Sequence, residues 1–268
     1  MLSIFIEGAL VVVGMMTAIW LISLILKDAS IVDIFWGVGF SILAWFYVGR
    51  VSAVGGASGG VVAAVLTTVW GCRLALHIAW RNRGKGEDYR YQRWRQAAGS
   101  SWWWRSYFKV FLLQGALMWM ISAPLLAAQS SWDGSGFPVL AAAAVVIWAI
   151  GFLFESLADL QLARFKSDRD NQGRVLQSGL WRYSRHPNYF GDAVQWWGLF
   201  LLAAAAGGWV TVFSPLLMTY LLLRVSGVAM LERDQKAKKP AYSEYIRRTS
   251  AFIPLPPRGP MDSNGAEG

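Results

Sequence analysis

Seven ionisable side chains lie within or at the edges of otherwise apolar runs: Glu7, Asp33, Arg73, His77, Glu155, Asp159 and Asp192. A charge at membrane depth is costly and faces a protein interior or a watery cavity, so each is a functional candidate. Their spacing groups them. Arg73, His77 and Arg81 recur at i, i+4 and i+8 and share one helix face, a cationic stripe that suits an anionic ligand or structural carboxylates. Glu155 and Asp159 are four apart in ESLADLQLARFK, again on one face, with Lys166 beyond them. Asp33 opens the string SIVDIFWG, and Trp36 and Gly37 follow within a turn as an aromatic wall beside a small residue. A structural pairing of Asp33 with Arg73, under a helix capped by Ser30, is the alternative to a pocket there. Glu7, near the chain start, reads as an interfacial carboxylate.

Two polar strings join these candidates. In RNRGKGEDYRYQRWR, arginines are mixed with Glu87, Asp88, Tyr89, Tyr91 and Trp94. Membrane surfaces select Arg, Trp and Tyr together, which accounts for the outer arginines but not for Glu87 and Asp88. In GLWRYSRHPNYFGDAVQWWG, Pro187 is favoured at the first position of a helix, which makes His186 the cap. Free backbone N–H groups at that start would attract an anion. Arg182, Tyr183 and Arg185 precede it, and Asn188, Asp192 and Trp196 follow at i, i+4 and i+8 on one polar and aromatic face. Further on stand Arg224, a phosphate ligand or a snorkelling end residue, then Glu232, Tyr242 and Tyr245.

Such residues need a membrane frame to hold them. The chain has 268 residues, is 55% hydrophobic and 15% charged, and carries sixteen Trp and a net charge of +9. Soluble domains are roughly 25% charged, so this chain reads as an all-α integral membrane protein. About 20 apolar residues cross a bilayer, and the runs Ile4–Leu26, Ile31–Val48, Val61–Trp80, Tyr107–Ala128 and Pro138–Leu162 each approach or exceed that length. The uncharged stretch Ala193–Leu223 would make about 46 Å of helix, more than one membrane thickness. Gly207 and Gly208 break it into two helices, Asn188–Ala206 and Trp209–Leu231.

Seven transmembrane helices result, and positive charge tests the count. With the N-terminus outside and the C-terminus cytoplasmic, the basic segments after helices three, five and seven all face the cytoplasm. Merging the last two helices would put the basic tail outside. The expected organisation is one domain over residues 1–255, then a disordered tail, 256–268, too rich in Pro, Gly and Ser to build a core.

Composition removes several activities. The single cysteine, Cys72, allows no intrachain disulfide, and two histidines cannot assemble the usual zinc spacings, so no metal site is expected. A G-x-G-x-x-G string in a strand-turn-helix setting is missing, which excludes a soluble dinucleotide-binding domain. Neither a nucleic-acid partner nor an obligate protein partner is indicated.

Taken together, SIVDIFWG, GEDYRYQRWR and GLWRYSRHPNYFGD resemble the bacterial branch of the steroid 5-alpha-reductase superfamily, over roughly 230 residues. That resemblance implies seven transmembrane helices in a bacterial inner membrane, a cytoplasmic site for NADPH as hydride donor, and reduction of a double bond conjugated to a ketone. A 3-oxo-4-ene steroid or similar lipophilic enone would enter from the bilayer. By the same resemblance Glu155, Asp159, Lys166, Tyr183, Asn188, Asp192, Trp196 and Arg224 belong to the cofactor site; the polar strings and tail add Arg182, Arg185, His186, Glu232 and Tyr245 to it, and Trp36, Arg73 and His77 are expected to line the substrate pocket. Eukaryotic members place a Gln-Glu pair in helix two and a Tyr in helix three beside the ketone. Here the Gln-Glu pair is missing, and Asp33 is the nearest acidic equivalent.

The chemistry needs a proton donor. Hydride addition to the β-carbon of an enone builds negative charge on the carbonyl oxygen, where a carboxylic acid or Tyr must sit. Asp33 is expected in that role, with Glu87 or Tyr91 as substitutes. The chief alternative is a membrane methyltransferase that uses S-adenosylmethionine, similar to the isoprenylcysteine carboxyl methyltransferases, which also carry an RHP-x-Y-x-G string. A sulfonium cofactor has no phosphate to engage Lys166, Arg182, Arg185 and Arg224, which favours the reductase. A non-enzymatic lipid-binding protein or small transporter is a third reading, opposed by the clustering of polar groups at one end.

Overall fold

The computed structural model describes residues 1–55, 60–129, 137–225, 228, 232 and 242–259. Among them, five helices are long and apolar enough to cross a bilayer: Leu2–Leu26, Ile31–Ala53, Val61–Asn82, the composite Tyr89–Ala127 and Pro138–Ser167. A shorter apolar helical stretch spans Trp209–Val225. The described residues contain helices and turns and no named strand. Their packing divides the chain into two compact units, Met1–Ala144 with Leu199–Ser214, and Val145–Gly198 with Pro215–Gly268.

In the first unit, α1 (Leu2–Leu26) buries Ile4, Gly8, Val12, Met16, Ile19 and Ser23, a single stripe at near-fourfold spacing. Leu10 and Ile25 lie exposed on its other sides, as suits a helix whose outer face meets lipid. Helix α1 ends in a left-handed cap at Lys27. Helix α2 (Ile31–Ala53) then crosses α3 (Val61–Asn82) at glycines: a Cβ on Gly37 would stand 2.6 Å from the Gly71 carbonyl oxygen, and one on Gly71 would stand 2.3 Å from that of Gly37. Small residues let helix backbones approach this closely where no hydrophobic effect drives association. Gly37 thus serves the helix crossing, beyond its expected place beside Trp36. Glu7 pairs with Arg50 at 2.6 Å, joining α1 to the last turn of α2.

Ser30 stands at the N-cap of α2 but makes no side-chain cap bond. Its hydroxyl donates instead to Asp28 and accepts from the Asp88 backbone N–H at 3.2 Å, because the Asp28 carboxylate two residues away is the stronger acceptor. The polar segment that follows α3 forms α4 (Tyr89–Ala98), then α5 (Trp102–Ser106), a π-turn over Tyr107–Leu112, α6 (Leu113–Ile121) and α7 (Ala123–Ala127).

The second unit is built on α8 (Pro138–Ser167) and α9 (Pro187–Ala205), the named helices reaching it from Val145 and as far as Gly198 respectively. They cross at another glycine pair. A Cβ on Gly191 would meet the Glu155 backbone nitrogen at 2.4 Å, and one on Gly151 would meet the Gly191 carbonyl oxygen at 2.6 Å. The expected break follows α9: Gly207 has φ +86°, a conformation that favours glycine. After it come a 3-10 turn, Trp209–Val212, α10 (Phe213–Tyr220) and a π-turn, Leu221–Val225. The short helix α11 (Tyr242–Arg248) precedes the chain's last described residues. Of the tail expected to lack order, 256–259 carry no regular secondary structure, with the Arg258 N–H on the Arg248 carbonyl at 2.9 Å, and 260–268 lie outside the described residues.

Candidate functional site

Two polar clusters hold most of the residues singled out by the sequence, one in each unit. The first lies where α4 begins beside the start of α2. Asp88 caps α4 by accepting the Arg90 backbone N–H at 3.0 Å, and it takes the Arg90 guanidinium at 2.8 Å. Burial opposes ionisation of Asp88, but those hydrogen bonds and the guanidinium charge hold its carboxyl below the usual carboxylate range. The cap fixes the first turn of α4, and so aims the next two side chains. Arg90 Nη2 reaches Asp33 Oδ2 at 2.9 Å, and the Tyr91 hydroxyl donates to Asp33 Oδ1 at 2.6 Å. The Gln114 side-chain amide, from α6, donates to the Tyr91 oxygen at 3.2 Å.

The structure gives these candidates their partners. Asp33, expected to donate a proton, meets the Arg90 guanidinium at one oxygen and the Tyr91 hydroxyl at the other. A cation on Asp33 is Arg90, where the structural alternative named Arg73, because the cap at Asp88 delivers Arg90 to the head of α2. Glu87, the other substitute acid, is half-buried and makes structural contacts: Oε1 accepts the Ala29 backbone N–H at 2.8 Å, and Arg95 grips both oxygens at 2.8 and 2.9 Å. Arg95 also donates to the Lys27 carbonyl at 3.1 Å, so this pair fastens the polar segment to the α1–α2 turn. Trp36, Arg73 and His77 are half-buried on α2 and α3. Trp36 meets Phe40 edge-on at 5.3 Å, and the His77 ring lies 6.4 Å from Trp80.

The second cluster follows the α8–α9 crossing. Close approach at Gly151 and Gly191 sets Glu155 against Gln195, whose amide donates to the carboxylate at 2.7 Å. One turn further along α8 and two turns back along α9, Asn188 Nδ2 donates to Asp159 Oδ1 at 3.0 Å. Glu155, Asp159, Gln195 and Trp196 are buried, while Asn188 and Asp192 are half-buried. The buried acceptors Asn188 Oδ1 and Gln195 Oε1 make no hydrogen bond among the described residues. Buried polar atoms normally find a partner, so these two are suited to a ligand's donors.

The loop before α9 is anchored at several points. Trp181 donates its indole N–H to the Ala158 carbonyl at 3.1 Å and packs with Leu176, and the Leu180 backbone N–H donates to Gln161 at 3.0 Å. The C-terminal segment closes over it. Arg185 donates to Glu232 at 2.7 Å, to the Ile246 carbonyl at 3.1 Å and to the Thr249 carbonyl. Tyr245 donates to the Trp181 and Ser184 carbonyls. Further bonds run from Ser184 to the Phe252 carbonyl at 2.7 Å and from the Leu255 backbone N–H to the Tyr183 carbonyl at 3.0 Å.

Arg185, Glu232 and Tyr245, expected to contact a cofactor, therefore tie the tail to the loop. Burial would raise the Glu232 carboxyl, but hydrogen bonds from His186 and Arg185 and their charge hold it down to about 2. Burial also pushes Tyr242 up to about 12 and raises the Tyr245 phenol. His186 lies 3.3 Å from Glu232 and stacks on Tyr189. Lys166, Arg182, Tyr183 and Arg224 are exposed.

Arg90, Gln114, Gly151, Gly191 and Gln195 were not singled out by the sequence. Arg90 was visible as part of an Asp-x-Arg helix start, and each second-unit glycine stands four residues before its polar partner. Gln114 carries no local signal.

Comparison with known proteins matches this architecture to a family and to a distant relative. An uncharacterized protein of Schizosaccharomyces pombe is 27% identical over 281 residues, covering 93% of this chain and 79% of the relative. No solved structure matches. The sequence profile described as "Protein of unknown function (DUF1295)" matches residues 19–249. Both polar clusters fall within that range except for the last tail residues, and the chain belongs to the DUF1295 family.

Proposed function

We propose that this protein is a seven-helix membrane reductase, N-terminus outside and C-terminus in the cytoplasm, that uses NADPH to reduce the carbon-carbon double bond of a 3-oxo-4-ene steroid or similar lipophilic enone. The observation that carries the proposal is the Tyr91 hydroxyl, held between Asp33 and Gln114 in the very strings that resemble the reductases. A carboxylate and a tyrosine are the pair that the resemblance places at the substrate ketone, and here they are Asp33 and Tyr91.

Each residue then has a distinct task. Tyr91 turns its single proton from Asp33 to the carbonyl oxygen and stabilises the charge that develops there. Asp33 positions the phenol, and Arg90 still partners Asp33 when Tyr91 turns away. Gln114 holds the phenol oxygen from the other side.

The second unit fits a nicotinamide cofactor in its donor and acceptor chemistry. Asn188 Oδ1 is an open acceptor of the kind a carboxamide N–H2 group requires, and exposed Lys166, Arg182 and Arg224 suit phosphates. NADPH, when bound, supplies the hydride. Asp159 orients Asn188, and Glu155 with Gln195 braces the helix pair behind it.

One observation favours a methyltransferase as the second reading: Arg185, one of the four cations that argued for a phosphate-bearing cofactor, is spent on the tail. A single experiment separates the two. A ligand that binds only the folded state raises its stability, so the thermal midpoint of the detergent-solubilised protein is measured with NADPH, NADH and S-adenosylmethionine in parallel. A shift with NADPH alone supports the reductase and is followed by NADPH oxidation assays with enone steroids. A shift with S-adenosylmethionine alone overturns it.

A further inference from the structure

Three cations between Arg95 and Lys109 each sit over an indole. Arg95 lies 5.5 Å from the Trp102 ring, Arg105 lies 5.4 Å from Trp104, and the Lys109 ammonium lies 4.7 Å from Trp94. They are not equivalent. Arg95 is neutralised by Glu87, whereas Arg105 and Lys109 make no salt bridge among the described residues. An aromatic face partly desolvates a cation without cancelling its charge.

The surroundings of these two cations are exposed and apolar. Trp94 and Trp104 are exposed themselves, Trp103 is 58% exposed, and Phe108 is 60% exposed. Arg105 and Lys109 stand four residues apart, one turn along the chain, where α5 passes into the π-turn at Tyr107. They lie near the start of the apolar part of a stretch able to cross a bilayer. Two open positive charges beside exposed aromatic rings at such a place match the headgroup phosphate and upper acyl chains of one lipid molecule.

We propose that Arg105 and Lys109, with Trp94, Trp103, Trp104 and Phe108, form a binding site for the phosphate of an anionic glycerophospholipid. Charge selects the anionic headgroup, because a zwitterionic lipid brings its own cation to the phosphate. Exposed Trp103 and Phe108 select a lipid over free phosphate, because an inorganic anion leaves those rings uncovered. The site is separate from the Asp33–Tyr91 cluster in its residues and requires no assumption about the reaction.

The test uses the purified full-length chain in neutral detergent. Its thermal midpoint is titrated with short-chain phosphatidylglycerol, short-chain phosphatidylcholine and inorganic phosphate. The expected result is a saturable rise with phosphatidylglycerol only. In the R105Q/K109Q double variant the half-saturating concentration should rise by roughly tenfold or more, with the lipid-free midpoint unchanged, while R105K/K109R should titrate like the unaltered protein. Equal shifts with both lipids, an equal shift with phosphate, or an unaltered titration in R105Q/K109Q would each overturn the site. If that double variant fails to fold, the unaltered protein is titrated at increasing salt. Half-saturation by phosphatidylglycerol that weakens with salt supports the site, and half-saturation that stays fixed overturns it.

Discussion

The Tyr91 hydroxyl donates to Asp33 Oδ1 at 2.6 Å across 58 residues of sequence. Neither residue would hold this geometry alone. Asp33 is fixed at the head of α2 by Arg90, and Arg90 is delivered there by the Asp88 cap of α4. The Glu87–Arg95 pair fastens the same segment to the α1–α2 turn. A short run of charged residues at the membrane surface therefore sets the position of one phenol.

Tyr91→Phe removes the proton but keeps the ring. If Tyr91 is the general acid, turnover should fall by about 10²- to 10⁴-fold, with the NADPH dissociation constant little changed. Asp33→Asn should also lower turnover, because the amide no longer pairs with Arg90 or anchors the phenol as a carboxylate does. Steady-state rates and cofactor titrations on both variants check this. Loss of cofactor affinity in Asp33→Asn equal to its loss of turnover would defeat the division of labour between the two units.

Asn188→Ala and Asp192→Ala should weaken NADPH binding. For Asn188 the variant deletes both the open acceptor and the 3.0 Å bond to Asp159. A lost hydrogen bond in a buried site costs about 1–3 kcal/mol, so the dissociation constant should rise by about fivefold to a hundredfold. Titration followed by energy transfer from Trp to the nicotinamide gives the number. Unaltered affinity in both variants would remove α9 from the cofactor site.

Five spanning helices were legible because hydropathy has one dominant cause in a membrane chain: about 20 apolar residues are needed to cross. The turn at Gly207 was legible for a similarly local reason. Partner choice was not. Arg73 was the only cation the sequence offered Asp33, and the Asx cap at Asp88 brings Arg90 to it. Arg185 was among the cations expected to hold cofactor phosphates by charge-assisted bonds. In the structure it meets Glu232, 47 positions away, and the backbone carbonyls of Ile246 and Thr249, more than sixty positions away, contacts that no local pattern can announce. The same holds for Gln114 on Tyr91.

Gly191→Ala tests the α8–α9 crossing. The added methyl would stand 2.4 Å from the Glu155 backbone nitrogen, so the helices must separate, with a cost of about 1–3 kcal/mol from overpacking. Since Glu155 and Gln195 follow at that crossing, NADPH affinity should fall with stability. Gly49→Ala is the control: its Cβ has nothing within 4 Å, and helix propensity makes the change neutral or slightly favourable. Thermal midpoints in one detergent compare the two, and an equal response would show that the crossing tolerates a methyl.

Acid should release the C-terminal segment through Glu232. Its carboxyl ionises at about 2 in the folded chain against an ordinary value of 4.5, so the folded state favours the charged form. The stabilisation is fully present above the ordinary value and is lost as pH falls through about 2. Its upper bound is about 3 kcal/mol. Pepsin, active across this window, should cut the segment around α11 increasingly as pH falls from 4.5 to 2. Glu232→Gln carries no titrating group, so its cleavage should be greater at pH 4.5 and change less with acid. The comparison at each pH cancels the protease's own pH dependence. Parallel curves for the two proteins would mean that the tail is held by the Tyr245 and Ser184 bonds without help from Glu232.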